Sequence, residues 1–466
     1  LGALNPSRAA EARAEPLPNL RRPPPMAAPH AARRLAATVK GGDAVRAALD
    51  PALQAATEKL LRDAMAEQGR HVGAAALIVE NRSRKVRAYV GAPDAADAER
   101  LGAVDMVQAA RSPGSTLKPF VYGAAFTLGL LHPETLVADV STRFGAYAPQ
   151  NFDRGFHGDM TVAEALQRSL NVPAVLALQK VGPQRFVDGT QAAGARLILP
   201  KGDAAPGLPV ALGGVGVSLW DMTQLYAALA DGGRPAPLIL REDAEAVGGA
   251  PLKQAPLLSA EAARAVLRIL EGAPPPDGRT FGAQSALAGR VALKTGTSFG
   301  FRDAWAFGVS ATHTVGVWVG RADGTPTPGR YGAVAAAPLV YGLFDLLPVP
   351  ESPPSGVGAL PGWETAPAAM LRRASAGPAA ALISRDPLRL VFPTPGIVAE
   401  RRDGALLVLE ARGGKRPLLW LVDGQPLPRA APLARTAQWS PAGPGVARVT
   451  VMDASGAAAS AVVEVR

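Results

Sequence analysis

Apolar residues change rhythm along this chain, and each rhythm predicts a different element. Between residues 47 and 65, Leu49, Leu53, Leu60 and Leu61 recur at roughly helical spacing, which predicts an amphipathic helix. Residues 73–79 and 85–90 are unbroken runs rich in Ala and Val, joined by the polar segment Glu80-Asn81-Arg82-Ser83, the pattern of a β-hairpin. From Ser115 to about residue 179 the spacing is mostly helical, and helices are predicted again over 220–230 and 260–270. Strands return at 290–297, 304–309 and 314–319, the last two turning back across 310–313. Two strands, a block of helices, then three strands predict an α+β fold: an antiparallel sheet flanked by helices.

The two ends read differently. Residues 1–44 are rich in Ala, Pro and Arg, with Pro23, Pro24 and Pro25 in succession, and read as a linker. A second Pro- and Gly-rich stretch covers 346–375. From 376 to 466, short apolar runs at 406–410, 418–422, 447–452 and 461–465 are punctuated by turns such as Asp403-Gly404 and Asp423-Gly424, which predict a small all-β sandwich. The expected division is therefore 1–44, 45–345, 346–375 and 376–466. The longest apolar stretch, 333–344, is interrupted by Pro338 and is too short to cross a bilayer. The chain starts at Leu1 with no visible signal segment, so it reads as a piece of a longer protein.

Composition narrows the chemistry. No cysteine is present, which removes disulfides, thiolate zinc sites and a cysteine nucleophile. The five histidines are scattered without metal-ligand spacing, so neither a metal nor another cofactor is expected. The formal charge is +10, but no run of five or six basic residues occurs, nor any basic and aromatic interleaving of the kind that stacks bases. Nucleic acid is not an expected partner, and the charge reads as arginine spread over a solvated surface.

Lysine is scarce: nine of the 49 basic residues are lysine. A chain that prefers arginine so strongly is expected to keep lysine where arginine fails, as in a general base, because arginine does not lose its proton in proteins. Only Lys118 lies three residues after a serine, in Pro113-Gly114-Ser115-Thr116-Leu117-Lys118. At the start of a helix, positions i and i+3 share a face, so Lys118 is placed to activate the Ser115 hydroxyl, with helix N–H groups near developing negative charge. Pro119 is tolerated in a first turn. Alone, Ser-x-x-Lys is commonplace, since an N-cap serine and a surface lysine produce it too. Here it is followed by Ser169-Leu170-Asn171 and then by Lys294-Thr295-Gly296-Thr297 on a predicted strand. On that strand Lys294 and Gly296 share a face, the lysine supplying charge for a carboxylate and the glycine leaving room for a substrate backbone. The three elements in this order mark penicillin-binding proteins and β-lactamases.

The segment from Arg111 to Gly123, the pair Asn151-Phe152-Asp153 and Gly155-Phe156-His157-Gly158, the run Ser169–Val175, and Lys294–Ser298 with Arg302–Ala306 together resemble the transpeptidase part of class A penicillin-binding proteins, most closely the 1C type. The likeness covers about residues 45–345, and the tail from about 376 resembles that family's extra C-terminal β domain. The resemblance implies a peptidoglycan D,D-transpeptidase that is trapped by β-lactams. Ser115 attacks the carbonyl between two terminal D-alanines, Lys118 takes its proton, and Ser169 and Asn171 relay protons and hold the substrate amide. Lys294, Thr295 and Thr297 bind the terminal carboxylate, and the N–H groups of Ser115 and Thr297 form the oxyanion hole. It further implies work at the periplasmic face of the bacterial inner membrane, attachment through an N-terminal anchor missing here, and cell-wall synthesis partners for the β domain. Full-length members also carry a glycosyltransferase domain, whose acidic motif block this chain lacks; residues 1–44 read as the remnant that joins it. Two rival readings are a D,D-carboxypeptidase or β-lactamase, for which no convincing Glu-x-x-x-Asn element is found, and a non-catalytic muropeptide-binding scaffold, which the β domain would suit.

Overall fold

The computed structural model describes residues 27–39, 44–145, 147–200, 205–242, 256–273, 286–356, 388–394, 397–399, 406–414, 416–428, 434–441, 443–454 and 458–465. Residues 1–26, 357–387 and the Asp403-Gly404 turn, where parts of the expected linkers and of the β unit fall, lie outside them. The first described element is helix α1 (Pro29–Ala36), within the segment expected to be a linker. His30, Ala31 and Leu35 are buried against the rest of the chain, so this stretch packs as structure.

Helix α2 (Pro51–Ala66) starts later than the leucine spacing suggests. Asp50 caps it, its carboxylate accepting from the Leu53 N–H at 2.9 Å, and Pro51 fits the first turn, where no N–H is required. The hairpin follows as β1 (Gly73–Glu80) and β2 (Val86–Val90). A 3₁₀ turn (Gly114–Leu117) runs directly into helix α3 (Lys118–Thr127).

The region expected to be mostly helical is then broken by a small antiparallel pair, β3 (Leu136–Asp139) and β4 (Gly158–Thr161). Four residues per strand are too few to impose a period on the sequence, which is why the pattern did not reveal them. Helices α4 (Val162–Gln167), α5 (Asn171–Val181), α6 (Pro183–Ala192), α7 (Leu219–Ala230) and α8 (Ala260–Glu271) complete the helical layer.

Strands β5 (Ala292–Thr297), β6 (Asp303–Val309) and β7 (His313–Gly320) return to the first hairpin. The sheet order is β2-β1-β7-β6-β5, antiparallel throughout. Alternate side chains face two cores. Leu77, Val79, Trp305 and Phe307 pack against the helical layer, while Ala76, Ile78, Ala306 and Val317 pack against α2 and a last helix, α9 (Ala337–Phe344). Burial on both faces explains why these strands read as continuous apolar runs and not as an alternating pattern.

The C-terminal unit consists of β8 (Arg389–Phe392), β9 (Val398–Ala399), β10 (Leu407–Arg412), β11 (Leu419–Val422), β12 (Gln425–Pro426), β13 (Thr436–Trp439), β14 (Gly445–Met452) and β15 (Ala458–Val465). They form two sheets, β13-β10-β8 and β12-β11-β14-β15-β9, over a separate core that includes Leu409, Trp420, Val449 and Val463. The fold class expected from the sequence, α+β with an appended all-β unit, is the one observed.

Phe307 is the keystone between sheet and helices: it is fully buried, stacks on Tyr226 at 4.5 Å and lies 5.9 Å from Trp305. Phe307→Ala is expected to lower unfolding free energy by about 3–5 kcal/mol, read from urea denaturation. A loss under about 1 kcal/mol would mean that the site collapses around the cavity.

Candidate active site

The turn that carries Ser115 is gripped from three sides. Trp305 Nε1 donates to Ser112 O at 2.9 Å, the Tyr226 hydroxyl donates to Thr116 O at 2.8 Å, and the Ser112 hydroxyl donates to Gly213 O at 2.7 Å. Gly114 has φ +54°, and a Cβ there would lie 2.3 Å from Thr297 O, so only glycine lets the turn seat against the end of β5. Gly296 has the matching role. A Cβ on it would meet Pro113 O at 2.6 Å and Thr116 N at 3.0 Å. The space expected to admit a substrate backbone is taken by the protein's own serine turn. Strand β5 ends the sheet, and among the described residues its other edge carries no strand.

Lys118 opens helix α3 with its side chain completely buried. Its Nζ donates to Ser169 O at 2.5 Å and to Asn171 Oδ1 at 2.6 Å, with Ser169 Oγ at 3.5 Å. The expected direct bond to the Ser115 hydroxyl is not formed, and among the described residues that hydroxyl has no hydrogen-bond partner. A neutral amine has two N–H bonds and one lone pair, so two short donations leave the lone pair free to accept a proton. Burial pushes the Lys118 amine well below its ordinary range, the nearby Lys294 charge adds to this, and Asp139 opposes it.

Lys294 reaches the same serine from the strand. Its Nζ donates to Ser169 Oγ at 2.8 Å and to Thr295 O at 2.7 Å, and burial lowers its pKa to about 7. The Ser169 hydroxyl therefore lies between two amines. Ser169 itself has φ +58°, a left-handed conformation that costs a non-glycine residue about 1–2 kcal/mol. It follows α4 and precedes α5, and this backbone turn lets its carbonyl meet Lys118 while its hydroxyl meets Lys294. Thr297 is held by its hydroxyl, which accepts from Gly332 N at 3.1 Å.

Two residues without an assigned role in the sequence reading complete the wall. Asn151 Oδ1 accepts from Asn171 N at 2.7 Å, and its amide donates to Asp139 Oδ2 at 2.7 Å and to Gly155 O at 2.8 Å. Asp139, fully buried at the end of β3, also accepts from His157 N at 2.9 Å. Asn151 lay in a quoted motif, whereas nothing around Asp139 in the sequence marks it. His157 sits between Arg168 and Asp153; burial first, then the Arg168 charge, lowers its pKa to about 4, so it is neutral near neutral pH. At the solvent boundary the Phe152 ring reaches Phe301 at 5.8 Å and Tyr331 at 5.6 Å, giving the two walls a shared aromatic edge.

Between about pH 7 and its ordinary value of 10.5, folded Lys294 has released a proton that the unfolded chain still holds. Stability therefore rises with pH across that window, and the cost of burying the charge is complete below about 7. Lys294→Met is expected to reduce the gain in urea midpoint between about pH 7 and about pH 9.5. An equal gain in both proteins would contradict the burial of an ionisable amine at this position.

Comparison with known proteins points one way. The penicillin binding protein transpeptidase domain profile matches residues 74–341, and the penicillin-binding protein C-terminus family profile matches 377–465. Penicillin-binding protein 1C of Escherichia coli is 41% identical over 371 residues, covering 77% of this chain and 46% of that protein. Penicillin-binding protein 1B of Vibrio cholerae is 30% identical over 332 residues, covering 65% of this chain and 40% of that protein. The chain thus spans less than half the length of these relatives. Among solved structures, the penicillin-binding protein PonA1 from Mycobacterium tuberculosis superposes with a TM-score of 0.57 at 23% identity, covering 68% of this chain and 89% of that one. At that identity the likeness concerns the fold.

Proposed function

This chain belongs to the penicillin-binding protein transpeptidase family, and from that premise we propose that it is a serine D,D-transpeptidase acting on peptidoglycan stem peptides through an acyl-enzyme on Ser115. The observation that carries the reading is the Ser169 hydroxyl, held between the Lys118 and Lys294 amines beside the serine turn. Ser115 Oγ attacks the carbonyl carbon of the penultimate D-alanine, and its proton passes to the Lys118 lone pair. The C–N bond then breaks, and the departing D-alanine amine gains a proton through Ser169. An amine of a neighbouring strand next attacks the ester; its proton passes through the Lys118 amine to Ser115 Oγ as the ester C–O bond breaks, which forms the crosslinking amide and restores the Ser115 hydroxyl.

Asn171 holds the substrate amide, and the N–H groups of Ser115 and Thr297 stabilise the oxyanion, where losing one donor costs about 10²–10³ in rate. Lys294, Thr295 and Thr297 bind the terminal carboxylate along the free edge of β5, with Gly296 allowing the serine turn to approach. An anionic ligand favours the charged form of Lys294, so capture of the carboxylate takes up a proton. A β-lactam acylates the same serine, but its opened ring keeps the leaving amine tethered, and the ester persists.

We read residues 45–345 as the transpeptidase unit and 376–466 as the appended β unit, whose outer face would meet cell-wall synthesis partners. The site of action is the periplasmic face of the inner membrane, where peptidoglycan lies. No helix among the described residues is long and apolar enough to cross a membrane.

Intact-mass analysis after penicillin treatment is expected to show one adduct, mapped to the Ser115 peptide and absent from Ser115→Ala. Rapid release of the adduct would instead favour a hydrolase, and no adduct at all a non-catalytic scaffold. Lys118→Arg places there a guanidinium that does not give up its proton and supplies no base, and acylation is expected to slow by at least about a hundredfold; near-normal labelling would refute the role. Lys294→Ala is expected to cut the acylation efficiency of a carboxylate-bearing penicillin by about 10–100-fold while cooperative melting persists. Loss of that melting would instead assign Lys294 a structural role.

A further inference from the structure

The β unit meets the transpeptidase unit through Arg416 on Glu164 at 3.2 Å, Arg412 on Asp153 at 3.7 Å and Glu410 on Arg168 at 3.7 Å. Arg416, which follows β10, buries its guanidinium against helix α4: Nη1 donates to Glu164 Oε2 at 3.2 Å, and Nη2 donates to Asp159 O. Glu164 is no ordinary surface acid. It closes the capping box of α4, its carboxylate accepting from Thr161 N at 3.0 Å while Glu164 N donates to Thr161 Oγ1 at 3.1 Å. The helix is six residues long, and Ser169 stands two residues past its end. A short helix gains little stability from its own hydrogen bonds, so its placement depends on what holds its ends.

A second contact reaches the same wall. Arg412 Nη2 lies 3.7 Å from Asp153 Oδ2, and Asp153 lies 3.0 Å from His157 Nε2. From there hydrogen bonds run through Asp139 and Asn151 to the Asn171 backbone, and the Asn171 side chain holds Lys118.

We propose that Arg416 is a positioning residue for acylation: by bracing the start of α4, the appended β unit fixes Ser169 and Asn171 against the Lys118 amine. The proposal rests on the reading of Ser115 as the acylated serine. Its physical content is that the Ser169 carbonyl, which meets the Lys118 amine at 2.5 Å, belongs to a residue in a strained backbone conformation, and such a turn persists only where its surroundings over-determine it. With Arg416 removed, the turn relaxes and water reaches the amine. Lys294 and Asp139 are the charged groups acting on that amine, and its renewed hydration moves it back toward its ordinary proton affinity.

The test measures the rate of fluorescent-penicillin acylation in the full chain as a function of pH, for the parent and Arg416→Met, with thermal melting alongside. Arg416→Met is expected to acylate about tenfold more slowly near neutral pH, since displacement of reacting groups by a fraction of an ångström has effects of this order. The acid limb of its profile is expected to shift to higher pH, so that the defect shrinks between about pH 6 and about pH 9. A contact that only docks the β unit would leave the shape of the profile unchanged. Glu164→Gln, which keeps an oxygen for the capping box, is expected to give the same shift and to add nothing to Arg416→Met; it also serves if Arg416→Met fails to fold. Arg416→Lys is expected to restore part of the rate. An adduct in the parent with unaltered rate and profile in both Arg416→Met and Glu164→Gln overturns the proposal alone. Failure of the parent to form any adduct overturns the Ser115 reading, and this inference with it.

Discussion

Two lysine amines are buried around one serine hydroxyl, and much of the rest of the molecule is arranged to make that tolerable. An isolated ammonium taken from water into a protein interior costs several kcal/mol unless it is paired or gives up its proton. Lys118 and Lys294 are 0% and 4% exposed, and among the described residues no carboxylate bonds either amine directly. Both amines are therefore driven toward their neutral forms. A neutral lysine is a base, and a lysine near neutrality gains charge when an anion arrives. The same burial thus supplies both halves of the chemistry.

The surrounding architecture reads as the means of enforcing that burial. The five-stranded sheet carries apolar side chains on both faces, so β5 is packed from both sides where it presents Lys294. Trp305 and Tyr226, core residues of sheet and helix, use their polar atoms to hold the backbone on either side of Ser115. Close backbone approach does the remainder: Gly114 and Gly296 leave no Cβ between the serine turn and the strand. Ser169 accepts a left-handed backbone because its carbonyl and hydroxyl each satisfy a different amine.

Behind this lies a layer of arginines and carboxylates that joins the β unit to the wall around Asn151. Placed there, an appended unit stabilises a local conformation as well as offering an outer surface. Its contacts to Asp153, Glu164 and Arg168 all fall on the stretch of chain that leads into Ser169 and Asn171.

Much of this was readable in the linear chain. The first hairpin, two continuous apolar runs around a polar turn, and helix α7 announce themselves because such patterns are local properties of the chain. The three motif blocks, and with them Ser115, Lys118, Ser169, Asn171 and Lys294, were equally visible as contiguous strings. What could not be read was which atom each would touch. Lys118 was expected on the Ser115 hydroxyl and instead meets Ser169, 51 residues away, while Lys294 meets the same serine across 125 residues. Asp139, Arg416 and the part played by Gly296 gave no signal at all. Their roles arise from groups that only packing brings within 3–4 Å, and no local pattern encodes a distance between segments so far apart in the chain.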